Sequence, residues 1–175
     1  KYLDHVFSRQ EDTECFQLVQ YQDRWISASE VSMVLNKKWD LVVLNGFPNA
    51  LTNSRQLQTI KNKLQLDTPV ITIVNSETDT VDLENLLDLR IFDAVALSQQ
   101  VTNVQVMLNN KSQNHPLNLY LERMAGSQWW QNLPPILFPY SNISLVDNFN
   151  TIIQTMDNAE NPVVSLRGSK MIGRR

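Results

Sequence analysis

Between Trp25 and Asn110, short runs of consecutive apolar residues alternate with stretches whose apolar positions fall three and four apart. That alternation of strand and helix signals predicts a parallel sheet with helices on both faces. Phe16 to Tyr21 (FQLVQY) reads as a strand, and Val31, Val34 and Leu35 share one face of a helix capped by Ser27 or Ser29. Leu41 to Leu44 contains nothing polar, as expected of a central strand. From about Ser54 to Leu66 the spacing of Leu57, Ile60 and Leu64 makes one apolar stripe on a helix, and Pro69 opens the strand Val70 to Val74. A helix carrying Val81, Leu83, Leu86 and Leu87 leads to a strand from Phe92 to Leu97, and Val101, Val104 and Leu108 mark a last helix. Lys1 to Gln10 reads as a helix with Leu3, Val6 and Phe7 on one side, so the strand that should precede Phe16 is missing from the pattern.

After His115 the pattern changes. Leu117, Tyr120, Leu121 and Met124 lie at helical spacing, with Pro116 placed to start the helix and Gly126 to end it. Trp129, Trp130 and a cluster of prolines at 134, 135 and 139 read as a linker, because neither a helix interior nor a central strand accommodates them. Ser144, with Asp147 three residues later, is placed to cap a helix carrying Leu145, Phe149, Ile152, Ile153 and Met156. Pro162 precedes a strand (VVSL) and a basic tail. The expected division is therefore 1–115 as a first domain, 116–143 as a helix and linker, and 144–175 as the helix and strand that open a following domain. The sequence shows no internal repeat or low-complexity tract.

Composition narrows the function classes. The 175 residues are 42% hydrophobic and 19% charged, an ordinary globular balance, and the net charge of −3 supplies no electrostatic ground for direct nucleic-acid binding. A single cysteine, Cys15, excludes an internal disulfide and reads as a small buried residue. No apolar run approaches the roughly 18–20 residues of a membrane-spanning helix. The expectation is a cytoplasmic protein without membrane insertion, and the start at Lys1 suggests a fragment or a chain that has lost a few leading residues. His5 and His115 stand far apart with no cysteine or clustered carboxylates beside them, so no metal site is expected. Glu77, Asp79, Asp82 and Glu84 read as the acidic start of a helix, where the macrodipole stabilises negative charge.

Trp39 to Asn45 (WDLVVLN), the proline-bearing loop Gly46-Phe47-Pro48, the helix after it and Thr68 to Asn75 (TPVITIVN) together resemble the central portion of a CheY-like receiver domain. The resemblance covers about residues 16 to 113 and implies a flavodoxin-like fold. Receiver chemistry needs a carboxylate nucleophile, an acidic pair for Mg2+, a sensing hydroxyl and a lysine. Here Asn45 stands where the aspartate is expected, Asn75 where the hydroxyl is expected, and Leu97 or Ser98 where the lysine is expected. An amide oxygen carries no charge with which to attack phosphorus. Asn45, Asn75 and Ser98 thus form a degenerate phosphorylation site, and the chain is expected to be neither an enzyme nor dependent on a cofactor.

The tail, VVSLRGSKMIGRR, loosely resembles the first strand and deviant phosphate loop of ParA/MinD-type ATPases, with Lys170 and Gly173 in matching places. Met171 and Ile172 replace the double glycine, and no Lys-Ser/Thr pair follows. A degenerate receiver followed by such a tail resembles the TadZ/CpaE proteins that direct Flp pilus assembly, which implies protein contact and self-association. Receivers associate through the fourth and fifth helices and the strand between them. That implies a homodimer interface over 80–110 with Leu86, Leu89, Val101, Val104 and Met107, extended by Trp129 and Trp130. The alternative resemblance is to the receiver-like regulatory domain of a sigma-54-dependent transcription activator. A flavin- or nucleotide-binding enzyme of the same fold would need a glycine- or hydroxyl-rich phosphate loop after an early strand, and the chain lacks one.

Overall fold

The computed structural model describes residues 14–22, 24–64, 68–95, 101–139, 143–156, 162–167 and 170–174. The strands are β1 (Val19–Tyr21), β2 (Arg24–Ile26), β3 (Val42–Asn45), β4 (Val70–Val74), β5 (Phe92–Val95), β6 (Val101–Val104), β7 (Val106–Leu108), β8 (Ile136–Pro139), β9 (Ile143–Leu145), β10 (Asn150–Thr155), β11 (Pro162–Arg167) and β12 (Lys170–Arg174). The α-helices are α1 (Val31–Asn36), α2 (Ser54–Lys61), α3 (Thr80–Leu87) and α4 (Pro116–Ala125). Six strands form one mixed sheet in the order β3-β4-β12-β11-β10-β7. The first three are mutually parallel, with Val42 opposite Val70 and Lys170 opposite Val70 on the other side. From β12 onward every pairing is antiparallel. Three two-stranded antiparallel ladders, β1–β2, β5–β9 and β6–β8, stand outside this sheet.

The apolar pattern of β4 explains its central place. Val70, Thr72 and Val74 alternate onto a buried face, and the strand is flanked on both sides. That face meets Ile60 of α2, Leu83 and Leu86 of α3, and Phe47, Ile91, Phe92 and Phe149 in one cluster of buried side chains. A second cluster lies under the antiparallel strands, built from Val106, Leu108, Trp129, Ile152, Ile153 and Val163. At roughly 1.5–3 kcal/mol for each fully buried large side chain, these two clusters are the main source of stability.

The flavodoxin-like expectation is corrected on three points. Among the described residues parallel pairing is confined to β3, β4 and β12, and the rest of the main sheet is antiparallel. Phe92–Val95, expected as the fifth parallel strand, pairs antiparallel with Ile143–Leu145, and the place beside β4 is taken by Lys170–Arg174 from the far end of the chain. Finally, the helices expected over Val101–Leu108 and Ser144–Met156 are strands: β6 and β7 replace the first, β9 and β10 the second. In place of a helical extension, the described residues form α4 and a 3-10 turn over Trp129–Asn132, followed by β8 to β12.

Other local expectations are met or adjusted. Helix α4 begins at Pro116 and ends at Gly126, whose φ of 89° takes the chain out of the helix. Helix α1 starts after Glu30 without a side-chain cap, while the Ser27 hydroxyl accepts from the Ser29 amide instead. Cys15, expected to be buried, is exposed. The helix read over Lys1–Gln10 lies outside the described residues.

Candidate functional site

Ligands of α/β sheets gather at the carboxyl ends of parallel strands, where the following loops meet. Here those are the ends of β3 and β4, which carry Asn45 and Asn75. Asn45 is exposed and lies opposite Ile73 in the ladder. Gly46, with a φ of 61°, then turns the chain sharply, and its amide donates to the Ile73 carbonyl at 2.9 Å. A Cβ at Gly46 would lie 2.6 Å from Asn75 Nδ2, so the Asn75 side chain packs against the Gly46 backbone and leaves room there only for glycine.

The loops after the two strands are built alike. In Asn49-Ala50-Leu51-Thr52 the Asn49 amide donates to Thr52 Oγ1 at 2.9 Å, and Asn49 Oδ1 accepts from the Leu51 amide at 2.9 Å. In Asn75-Ser76-Glu77-Thr78 the Asn75 amide donates to Thr78 Oγ1 at 3.0 Å, and Asn75 Oδ1 accepts from the Glu77 amide at 2.9 Å. Each turn runs directly into a helix cap. Asn53 Oδ1 accepts from the Gln56 amide at the start of α2, with the Gln56 side chain answering in a capping box. Asp79 Oδ1 accepts from the Val81 and Asp82 amides at the start of α3. A bridge between Asn49 and Thr78, and the Asp79 amide donating to the Pro48 carbonyl at 2.8 Å, bind the two loops together.

This arrangement has a chemical consequence. The carboxamides and hydroxyls of Asn49, Thr52, Asn75 and Thr78 satisfy backbone groups, and the amides at both helix starts are answered by the protein's own caps. Those four side chains and the amides of Gln56, Val81 and Asp82 are thus engaged within the protein, whereas the Asn45 side chain is exposed. Apolar side chains project as well: Leu51, in the first turn, is 75% exposed, and Val81, at the start of α3, is 67% exposed. The sequence carries a signal for this construction in the matching five-residue pattern Asn-x-x-Thr-Asn at 49–53 and Asn-x-x-Thr-Asp at 75–79.

The remaining sequence-derived positions fall elsewhere. Ser98 lies outside the described residues. Leu86 is buried in the first core cluster and Leu89 packs against it. Trp129 is buried in the second, with its Nε1 donating to Asn118 Oδ1 at 3.0 Å, and Val104 and Trp130 pack beside it. Val101 and Met107 lie on β6 and β7, where Met107 is half-buried. Leu86 and Trp129 therefore build the core, and the surface expected over 80–110 is divided between a helix and strands. Lys170 and Gly173 lie within β12, opposite Val70 and Ile73 of β4 and opposite Arg167 and Val164 of β11, so both are strand residues rather than a phosphate-binding loop. Of the four acidic residues, Asp79 caps α3, whereas Glu84 reaches past the helix end and accepts from the amides of Ile91 and Phe92 at 2.7 and 2.8 Å, fixing the entry to β5.

An open cleft of about 490 Å³ lies beside the β5–β9 ladder, lined by Arg90, Asp93, Leu145, Val146, Asp147 and Asn148; it shares no residue with the Asn45–Asn75 cluster. Among the described residues there is no group of three or more His, Cys, Asp or Glu placed to hold a metal ion, and no helix long and apolar enough to cross a membrane. No protein-family model matches the chain, and no curated protein matches it at a significant level.

Proposed function

We propose that this chain is a non-catalytic protein-binding module whose first partner is a second copy of itself, serving the localisation or assembly of a Flp/Tad pilus system. The pilus setting draws on the sequence resemblance to TadZ/CpaE proteins alone. The binding role draws support from one observation: in the loops after β3 and β4 the side chains of Asn49, Thr52, Asn75 and Thr78 are bonded to the backbone, while Leu51 in the first loop and Val81 in the first turn of α3 stand exposed beside the Asn49–Thr78 bridge. Isolated exposed hydrophobics are ordinary on a protein surface. Here they stand on the first loop and at the start of α3, beside loops that brace each other, and a pre-ordered apolar surface binds protein at low entropic cost.

The fold correction also moves the interface. Leu86 and Trp129 serve the core, so the proposed binding face shifts to the loop that carries Leu51 and the start of α3 that carries Val81. Sedimentation equilibrium at micromolar concentration should show self-association of the unmodified chain. Replacing Leu51→Ser together with Val81→Ser should weaken it by about tenfold or more, equivalent to ~1.4 kcal/mol, with thermal unfolding little changed because both side chains are exposed. A strictly monomeric chain, or a double variant that associates like the original, would refute the proposal.

A further inference from the structure

Asn45–Gly46 is the one Asn-Gly pair in the chain. We propose that it is a deamidation site held in check by the pairing of β3 with β4. With no side chain on Gly46 to obstruct it, the Gly46 nitrogen can attack the Asn45 side-chain carbonyl carbon. A bond forms between Gly46 N and Asn45 Cγ, the Cγ–Nδ2 bond breaks, and the departing NH2 takes up the amide proton and leaves as ammonia. Water then opens the resulting succinimide at either carbonyl, adding OH to the carbon and H to the nitrogen, and leaves aspartate or isoaspartate at position 45.

Two features of the fold set the reactivity. Asn45 is exposed, and its carboxamide forms no hydrogen bond found among the described residues, whereas the neighbouring Asn49, Asn53 and Asn75 side chains are each bonded to a backbone amide. The electrophile is therefore unrestrained and open to water. The nucleophile is not: the Gly46 amide donates to the Ile73 carbonyl at 2.9 Å, in the last rung of the β3–β4 ladder. While that bond holds, the nitrogen keeps its proton and its orientation toward β4. Strand β3 is only four residues long and is an outer strand of the six-stranded sheet, so local parting of its carboxyl end is the event that releases the nitrogen. The isoaspartyl product adds a methylene to the main chain at the residue opposite Ile73, and the aspartyl product adds a carboxylate at the exposed end of β3. Either change marks a chain in which this corner has opened. The inference is independent of the proposed self-association.

The test holds the full chain at mildly alkaline pH, with and without denaturing urea, and follows the peptide containing residues 45 and 46 by mass spectrometry for exchange of NH2 by OH. The Asn45→Gln variant identifies the signal, because it should show no such gain in that peptide. The folded chain should react at least about tenfold more slowly than the denatured one. Equal rates in the two conditions would overturn the gating by β3–β4 pairing. Absence of reaction in the denatured chain, or an unchanged mass gain in the glutamine variant, would overturn the site itself.

Discussion

Single residues decide the corner where β3 and β4 end. Gly46 is required there twice over: its φ of 61° lies in the left-handed region, and Asn75 Nδ2 occupies the space a side chain would need. Left-handed backbone costs a non-glycine residue roughly 1–2 kcal/mol, and displacing Asn75 would also loosen the turn it braces. Gly46→Ala should therefore lower stability by about 2–3 kcal/mol, measurable as a fall in the urea midpoint. A variant as stable as the original would show that this corner is not held as described. At this scale the sequence was partly legible. The two Asn-x-x-Thr turns stand in the sequence at 49–52 and 75–78, but whether a tryptophan serves an interface or a core does not. Trp129 looked like an interface aromatic until its burial and its bond to Asn118 placed it inside.

Among the elements, helices and strands were legible where local signals agreed. Helix α4 follows from Pro116, its apolar spacing and Gly126, and β4 from an unbroken β-branched run. The misread segments are those where signals conflict. Val101, Val104 and Leu108 are spaced for a helix, yet VTNVQVML is rich in β-branched residues, which lose side-chain freedom in a helix and pack well on a sheet. Leu145, Phe149, Ile152 and Ile153 likewise suit a helix, but Asn148, Asn150, Thr151 and Thr155 among them favour turns and strands. Tertiary pairing with β7 and β11 settles the second case. Capping is the element-scale feature most open to test. Asp79 accepts from two amides at the start of α3 and its own amide ties the helix to Pro48, so Asp79→Ala should cost about 1 kcal/mol, within the 0.5–2 kcal/mol usual for a lost N-cap. Since the amide of residue 79 survives the substitution, a loss well beyond that range would mean that the carboxylate carries a further role.

For the whole molecule, the decisive event is the insertion of Lys170–Arg174 between Val70–Val74 and Pro162–Arg167. No local periodicity predicts it, because the pairing partners β4 and β12 lie about a hundred residues apart and their association is set by the three-dimensional sheet. The same insertion separates the observed sheet from the flavodoxin-like one, and it leaves β3 and β7 as the outer strands. The surface proposed for binding is the rim at the carboxyl ends of β3 and β4. Amide hydrogen exchange measured over a range of protein concentrations tests that claim directly. Peptides covering 49–52 and 78–82 should exchange more slowly as concentration rises, while those covering Leu119, Tyr120 and Met124, the exposed apolar residues of α4, should not change. Exchange independent of concentration at both loops, or slowing confined to α4, would contradict the account.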